Sequence, residues 1–258
     1  MRISTGLIVA GSAAFVVFCL GLLASDGSLA TLAWVNFSGD ALGIVAVVTW
    51  WLMTARMSSL FRERKRAWIL MSAGLSAYTL GNIIWSVLET KFGVLVPIGG
   101  VADVFYYAGY VLWIVGLCLI LMKVFFIQRP LVGAVIGSLF ALGTLSFLGI
   151  GIVSSIGGWP PASVFQYGFV VMDVIILSLI LMMNIPLVGT QNQMTVFWLI
   201  LGAAFVAWVV YDVAFAVLTF YGSYFTGHPV DLFAGVAQLL FVVAGCWRLH
   251  FQEVLRGN

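Results

Sequence analysis

Charged residues make up only 8% of this 258-residue chain, against about a quarter in a soluble domain. A chain with so few charges cannot cover a water-facing surface, which excludes an ordinary soluble globular protein. Histidine occurs twice, at His228 and His250, so no haem, zinc or copper centre built from imidazole is expected. The three cysteines, Cys19, Cys118 and Cys246, lie far apart inside apolar runs with no CxxC pair. They read as small buried residues rather than a disulfide framework or metal site. HExxH, GxSxG and P-loop motifs are all missing. No apolar run carries a lysine at its centre, which argues against a retinal Schiff base. The net charge of +2 gives no reason to expect nucleic acid. Neither cofactor nor metal is expected.

Apolar residues, by contrast, make up 63% of the chain, and the mean hydropathy is +1.17. Apolar runs of about 18 residues or more recur, each long enough to span a bilayer as a helix. In lipid every backbone hydrogen bond must be satisfied internally, and the runs are too long and continuous for barrel strands. The expected architecture is therefore an all-α polytopic membrane bundle, one domain over 1–258. Its helices are expected at 6–24, 36–55, 67–89, 102–126, 131–153, 164–184, 195–221 and 230–250. The breaks fall at Ser25-Asp26-Gly27-Ser28, at the charged cluster Arg62–Arg66, at Pro97 with Gly99-Gly100, at Gln128-Arg129-Pro130, at Gly157–Pro161, at Gly189–Gln193 and at Gly227-His228-Pro229. These are turn and breaker residues. Trp34, Trp68, Trp159, Trp198 and Trp247 lie near run ends, as an aromatic belt requires. The first run is longer than a signal-peptide core and is read as a span.

Arg2, Arg56, Arg62–Arg66, Lys123, Arg129, Arg248 and Arg256 fall on one side of an eight-helix arrangement, with only Lys91 opposite. The positive-inside rule then places the protein in the cell membrane with both termini cytoplasmic. The basic cluster reads as a topology signal, and anionic-lipid binding is the alternative.

The chain resembles itself. Trp68–Thr90 laid on Trp198–Phe220 pairs Trp68 with Trp198, Tyr78 with Trp208, and Asn82 with Asp212. With a loop shorter by two residues, Asp103 pairs with Asp231, Leu112 with Leu240 and Cys118 with Cys246. Two tandem four-helix repeats, about 1–128 and 129–258, are expected. An even number of helices per repeat makes them parallel.

Polar groups inside a bilayer each need a reason. Asp173, Asp212 and Asn82 fall in mid-run. Tyr78, Asn82, Trp85 and Glu89 share one helix face, as do Trp208, Asp212, Phe215 and Thr219. Asp103, Tyr107 and Tyr110 share another near the start of the fourth run, and Asp231 and Gln238 a further one. The functional reading is a polar, aromatic ligand pocket between the third, fourth, seventh and eighth helices, open away from the cytoplasm. It has Asn82, Trp85, Glu89, Asp103, Tyr107, Tyr110, Asp173, Trp208, Asp212, Asp231 and Gln238 as candidate residues. The structural reading makes Asp103 and Asp231 helix caps, Asn82 interhelical glue and the rings packing. Gly39/Gly43 and Gly133/Gly137 have the spacing of close helix packing. Tyr211-Asp212 matches half of an intramembrane aspartyl protease signature, and the other half is missing.

Gly81-Asn82-Ile83-Ile84-Trp85, Glu89, Pro97, Ala102-Asp103-Val104-Phe105-Tyr106-Tyr107 and Gly109-Tyr110 resemble the multi-helix membrane sensor domain found N-terminal to some diguanylate cyclases and sensor kinases. Asp212, Gly222, Gly227 and Asp231 match its later helices. The likeness covers 67–250, with Gly100-Val101 where a serine is usual. It implies a free-standing sensory module that binds a small molecule and signals through a partner protein, with no turnover. Gly202-Ala203-Ala204-Phe205, Asp212 and Ala237-Gln238-Leu239-Leu240 are similar to the late helices of the lysoplasmalogenase-like eight-helix family. That likeness implies a lipid hydrolase using intramembrane carboxylates. A proton- or cation-coupled carrier using Asp173 and Asp212 is the third expectation. Membrane lipids surround the chain in each case.

Overall fold

The computed structural model describes residues 3–26, 28–57, 62–94, 98–124, 161–184, 187 and 193–257. Among them are seven helices and no strand: α1 (Ile3–Leu23), α2 (Leu29–Ala55), α3 (Arg62–Phe92), α4 (Val101–Val124), α5 (Pro161–Asn184), α6 (Gln193–Phe220) and α7 (Asp231–Gly257). All except α5 are long and apolar enough to cross a membrane, and α5 contributes the shorter apolar stretch Gly168–Asn184. The chain is a multi-pass membrane protein. The expected helix at 131–153 lies outside the described residues, as do Gly133, Gly137 and Trp159.

Helix ends follow local chemistry. Before α2, Ser28 Oγ accepts the Thr31 N–H at 3.3 Å, and Asp26 Oδ1 accepts the Ser28 N–H at 2.9 Å. This cap starts the helix well before the expected residue 36. The α6 helix ends at Gly222, whose φ of 63° lets Ser223 N–H reach Leu218 O at 2.9 Å and Gly222 N–H reach Thr219 O at 3.0 Å. That is a Schellman ending.

Two expectations need correction. The Arg62–Arg66 cluster does not separate helices but forms the first turns of α3, because straight-chain arginine, lysine and glutamate are good helix formers at a wet end. Trp68 and Trp198 are not belt residues. They are 1% and 2% exposed and pack on one another at 5.7 Å. Trp34 and Trp247 are exposed, as a belt requires.

The helices close a ring in the order α2, α3, α4, α5, α6, α7 and back to α2, with α1 outside it against α2 and α7. The tightest seam is α3 on α4. A Cβ added at Gly74 would lie 2.9 Å from the Gly109 carbonyl oxygen, and one at Gly109 would lie 2.9 Å from that of Gly74. Lipid tails give helices no hydrophobic drive to associate, so such close backbone packing holds the seam.

Inside the ring, the half nearer Arg56 and Arg248 is filled with rings: Trp50, Trp68, Trp113, Phe197, Phe205 and Phe241 are all at most 1% exposed. Two of the indole N–H groups are spent inside the bundle, Trp50 Nε1–H on Phe241 O at 2.9 Å and Trp113 Nε1–H on Met71 O at 3.2 Å. At the basic end, Arg56 pairs with Glu253 at 2.8 Å, and the Arg248 guanidinium lies 4.7 Å from the centre of the Trp68 ring.

Candidate functional site

The opposite half of the ring holds a cavity of about 130 Å³. Its origin is a matter of spacing. Tyr78 of α3 meets Trp208 of α6 edge-on at 4.3 Å, above the Trp68–Trp198 contact. These paired rings hold α3 and α6 apart across the ring centre. One turn further on, the facing residues are the smaller Asn82, Ser86, Asp212 and Ala216, which leave the same gap unfilled. Trp85 and Phe215, 6.0 Å apart, wall it. Each ring in these three contacts meets the residue with which it aligns in the internal comparison, and so does Trp113 with Phe241 at 5.8 Å.

Of the candidate residues, Asn82, Trp85, Asp103, Trp208, Asp212, Asp231 and Gln238 line this cavity. Asp103 and Asp231 are caps as well as wall. Asp103 Oδ2 accepts the N–H groups of Gly99 and Gly100, and Asp231 Oδ2 accepts that of Gly227 at 2.8 Å. The two turns share one device. Gly99 and Gly227 both adopt positive φ, 77° and 97°, which turns the N–H toward the aspartate four residues on. Tyr224, in the loop before α7, donates to Asp231 Oδ1 at 3.0 Å. Burial, followed by the nearby Tyr211 and Asp231, holds the Tyr224 phenol well above its ordinary pKa, so it remains a donor.

Four candidates lie outside the cavity wall. Glu89 is buried beside it, accepting from Asn36 Nδ2 at 2.9 Å and from Thr226 Oγ1 at 2.8 Å. Tyr107 stacks at 4.4 Å on Phe169, which itself lines the cavity. Tyr110 and Asp173, 0% and 1% exposed, sit behind Asp212. The Tyr110 hydroxyl donates to Asp173 Oδ1 at 2.7 Å and also contacts Asp212 Oδ2. A hydroxyl carries one hydrogen, so it can donate to only one carboxyl group at a time. The three groups form a buried acid–phenol–acid bridge whose one face, Asp212, reaches the cavity.

The sequence reading missed α2. Asn36, Gly39 and Asp40 line the cavity, with Asp40 only 9% exposed. Asn36 and Asp40 lie one helical turn apart, the same one-face spacing of polar residues that singled out α3 and α6. Two wall residues, Tyr224 and Thr226, come from the loop 221–230, where no helical period could flag them.

Two polar atoms at the wall lack a partner. Gln238 Oε1, in a side chain 6% exposed, has no donor, and the Trp208 indole N–H lies beside Asp212 without completing a bond. Buried polar groups are normally satisfied. Among the described residues, no group of three or more acids, histidines or cysteines is arranged to hold a metal ion. All three cysteines are free. In comparisons with protein families, characterised proteins and solved structures, the chain has no match.

Proposed function

We propose that this protein is a membrane-embedded sensory module that binds a small molecule in the cavity between α2, α3, α4, α6 and α7 and passes the event to a partner protein. The observation that carries the reading is the unsatisfied Gln238 carbonyl, buried at a cavity wall that also holds four aspartates. Stability alone would favour filling such a space or pairing its polar groups.

The finer architecture belongs to the same proposal. It comprises eight spans, two parallel four-helix halves, both termini in the cytoplasm of a cell membrane, and a pocket facing the other side. Duplication is supported by ring contacts between aligned residues, which is what a pseudo-twofold axis between α3 and α6 would produce, and by the matched glycine–aspartate turns. The orientation is supported by the cavity lying in the half away from Arg56, Lys65, Arg66 and Arg248.

Native mass spectrometry from mild detergent tests the pocket. The expected result is a small bound mass that is lost in Ala234→Phe, a variant that fills the cavity wall, with the thermal melt of the variant retained. Identical adducts on both proteins, or none on either, would overturn the reading.

A further inference from the structure

The cavity wall combines two features that select the same kind of ligand. Asp40, Asp103, Asp212 and Asp231 all face it, and no lysine, arginine or histidine does. The one ion pair among the described residues, Arg56 with Glu253, lies at the other end of the bundle. Among the described residues the acids therefore have no cationic partner. Rings make up much of the remaining wall. Phe215 is met edge-on by Tyr224 at 4.5 Å and by Trp85 at 6.0 Å, with Tyr211 tilted against it at 5.8 Å. Rings set at steep angles to one another form the walls of a box rather than a flat stack. Aromatic boxes attract cations through the negative faces of the rings, most strongly where water is excluded.

We infer, building on the ligand-binding reading above, that the ligand is a small organic ammonium ion, taken up by the aspartates and the Trp85–Phe215–Tyr224 box. The Gln238 carbonyl, which accepts from nothing in the protein, supplies a further oxygen toward an ammonium N–H or its polarised CH groups. An anion would meet four acids and no counter-charge. A bare divalent metal would need oxygens converging at one point, and no such group occurs among the described residues. A purely apolar guest would leave Gln238 Oε1 and the Trp208 indole N–H without partners. Size fits as well: a cavity of about 150 Å³ takes a molecule as large as benzene, so about 130 Å³ suits a tetramethylammonium-sized head.

Such a head occurs both as a free solute and as the terminal group of a phospholipid. The test has one arm for each source. In neutral detergent, tetramethylammonium chloride is expected to raise the melting temperature saturably where sodium chloride of equal ionic strength does not. In nanodiscs, choline-headed lipid is expected to reproduce that stabilisation relative to glycerol-headed lipid if the headgroup is the source, and to leave the free-cation response intact if it is not. Asp40→Asn, within α2 and so free of capping duties, should weaken tetramethylammonium binding about tenfold to a hundredfold, the range for a hydrogen-bonded or paired charge. Trp85→Leu should weaken it about two- to thirtyfold. Absence of a saturable cation response in either setting, or the same response in both variants as in the parent, overturns the inference. If a neutral or anionic mass lost in Ala234→Phe is found at the same time, the pocket stands and only its ligand class is wrong. If no mass is found either, both readings fall.

Discussion

The half of the bundle near Arg56 and Arg248 and the half near Asp103 and Asp231 are built from the same helices and filled in opposite ways. In the first, Trp113 stacks on Phe241 at 5.8 Å, meets Phe205 edge-on at 5.4 Å and spends its N–H on a backbone carbonyl. In the second, Trp85 of the neighbouring turns is half-buried against a cavity, and acids stand where rings stood. Helices in lipid gain little from burying apolar surface, so they associate through packing and polar contacts. The ring-filled half supplies the packing. The polar half is held by hydrogen bonds and is left with space.

The contrast makes its largest claim on stability. Trp113→Ala should destabilise the fold by roughly 3 kcal/mol, the low end for truncating a buried tryptophan because the lipid-solvated unfolded state removes most of the transfer contribution. Trp85→Ala, which opens onto a space already present, should cost about 1 kcal/mol. Unfolding titrations in mixed micelles would measure both, and equal losses would erase the distinction between the halves.

A smaller effect sharpens the polar side. Thr226→Val keeps shape but removes the hydroxyl bonded to Glu89. A loss of about 1.5 kcal/mol is expected, as for a hydrogen bond to a charged group. Amide exchange should speed up in the loop 221–230 before it does in α3. Unchanged exchange there would show that the loop is held by something other than this bond.

The smallest effect lies outside both halves. The Ser28 backbone N–H, then the Ser28 and Thr31 side chains, hold the fully exposed Asp26 carboxyl down at about 2. Because its folded pKa is depressed, its contribution to the start of α2 is present above its ordinary value near 4 and is lost as pH falls through about 2. Amide protection at Thr31 should follow that curve while the melt of the bundle does not. A midpoint near 4 would mean the cap does not persist in solution.

The same contrast explains what the sequence could reveal. Long apolar runs impose helices in lipid, so the membrane bundle was legible, and so were Asn82, Asp212, Asp103, Asp231 and Gln238 as polar residues on shared faces. The start of α2 was missed because its cap, Ser28 with Asp26, read as a break rather than as a beginning. Trp68 and Trp198 were misread because nearness to a run end does not say which side of a helix faces lipid. Asp40 went unclaimed because α2 lies outside the aligned segments. The closing of α2 onto α7 is a long-range contact that no local pattern encodes.

The ring pairs between α3 and α6 have a mechanical consequence. Tyr78–Trp208 and Trp68–Trp198 act as shims between α3 and α6: hard, close-packed and nearly incompressible. The width of the cavity is therefore set from below. A change in the α3–α6 spacing at the cavity would load these rings, and ring contacts run on from Trp208 through Phe241 and Trp50 to Trp68, where the Arg248 guanidinium rests. A lever of this kind needs no hinge, since the ring contacts themselves join the cavity to the charged face at the other end.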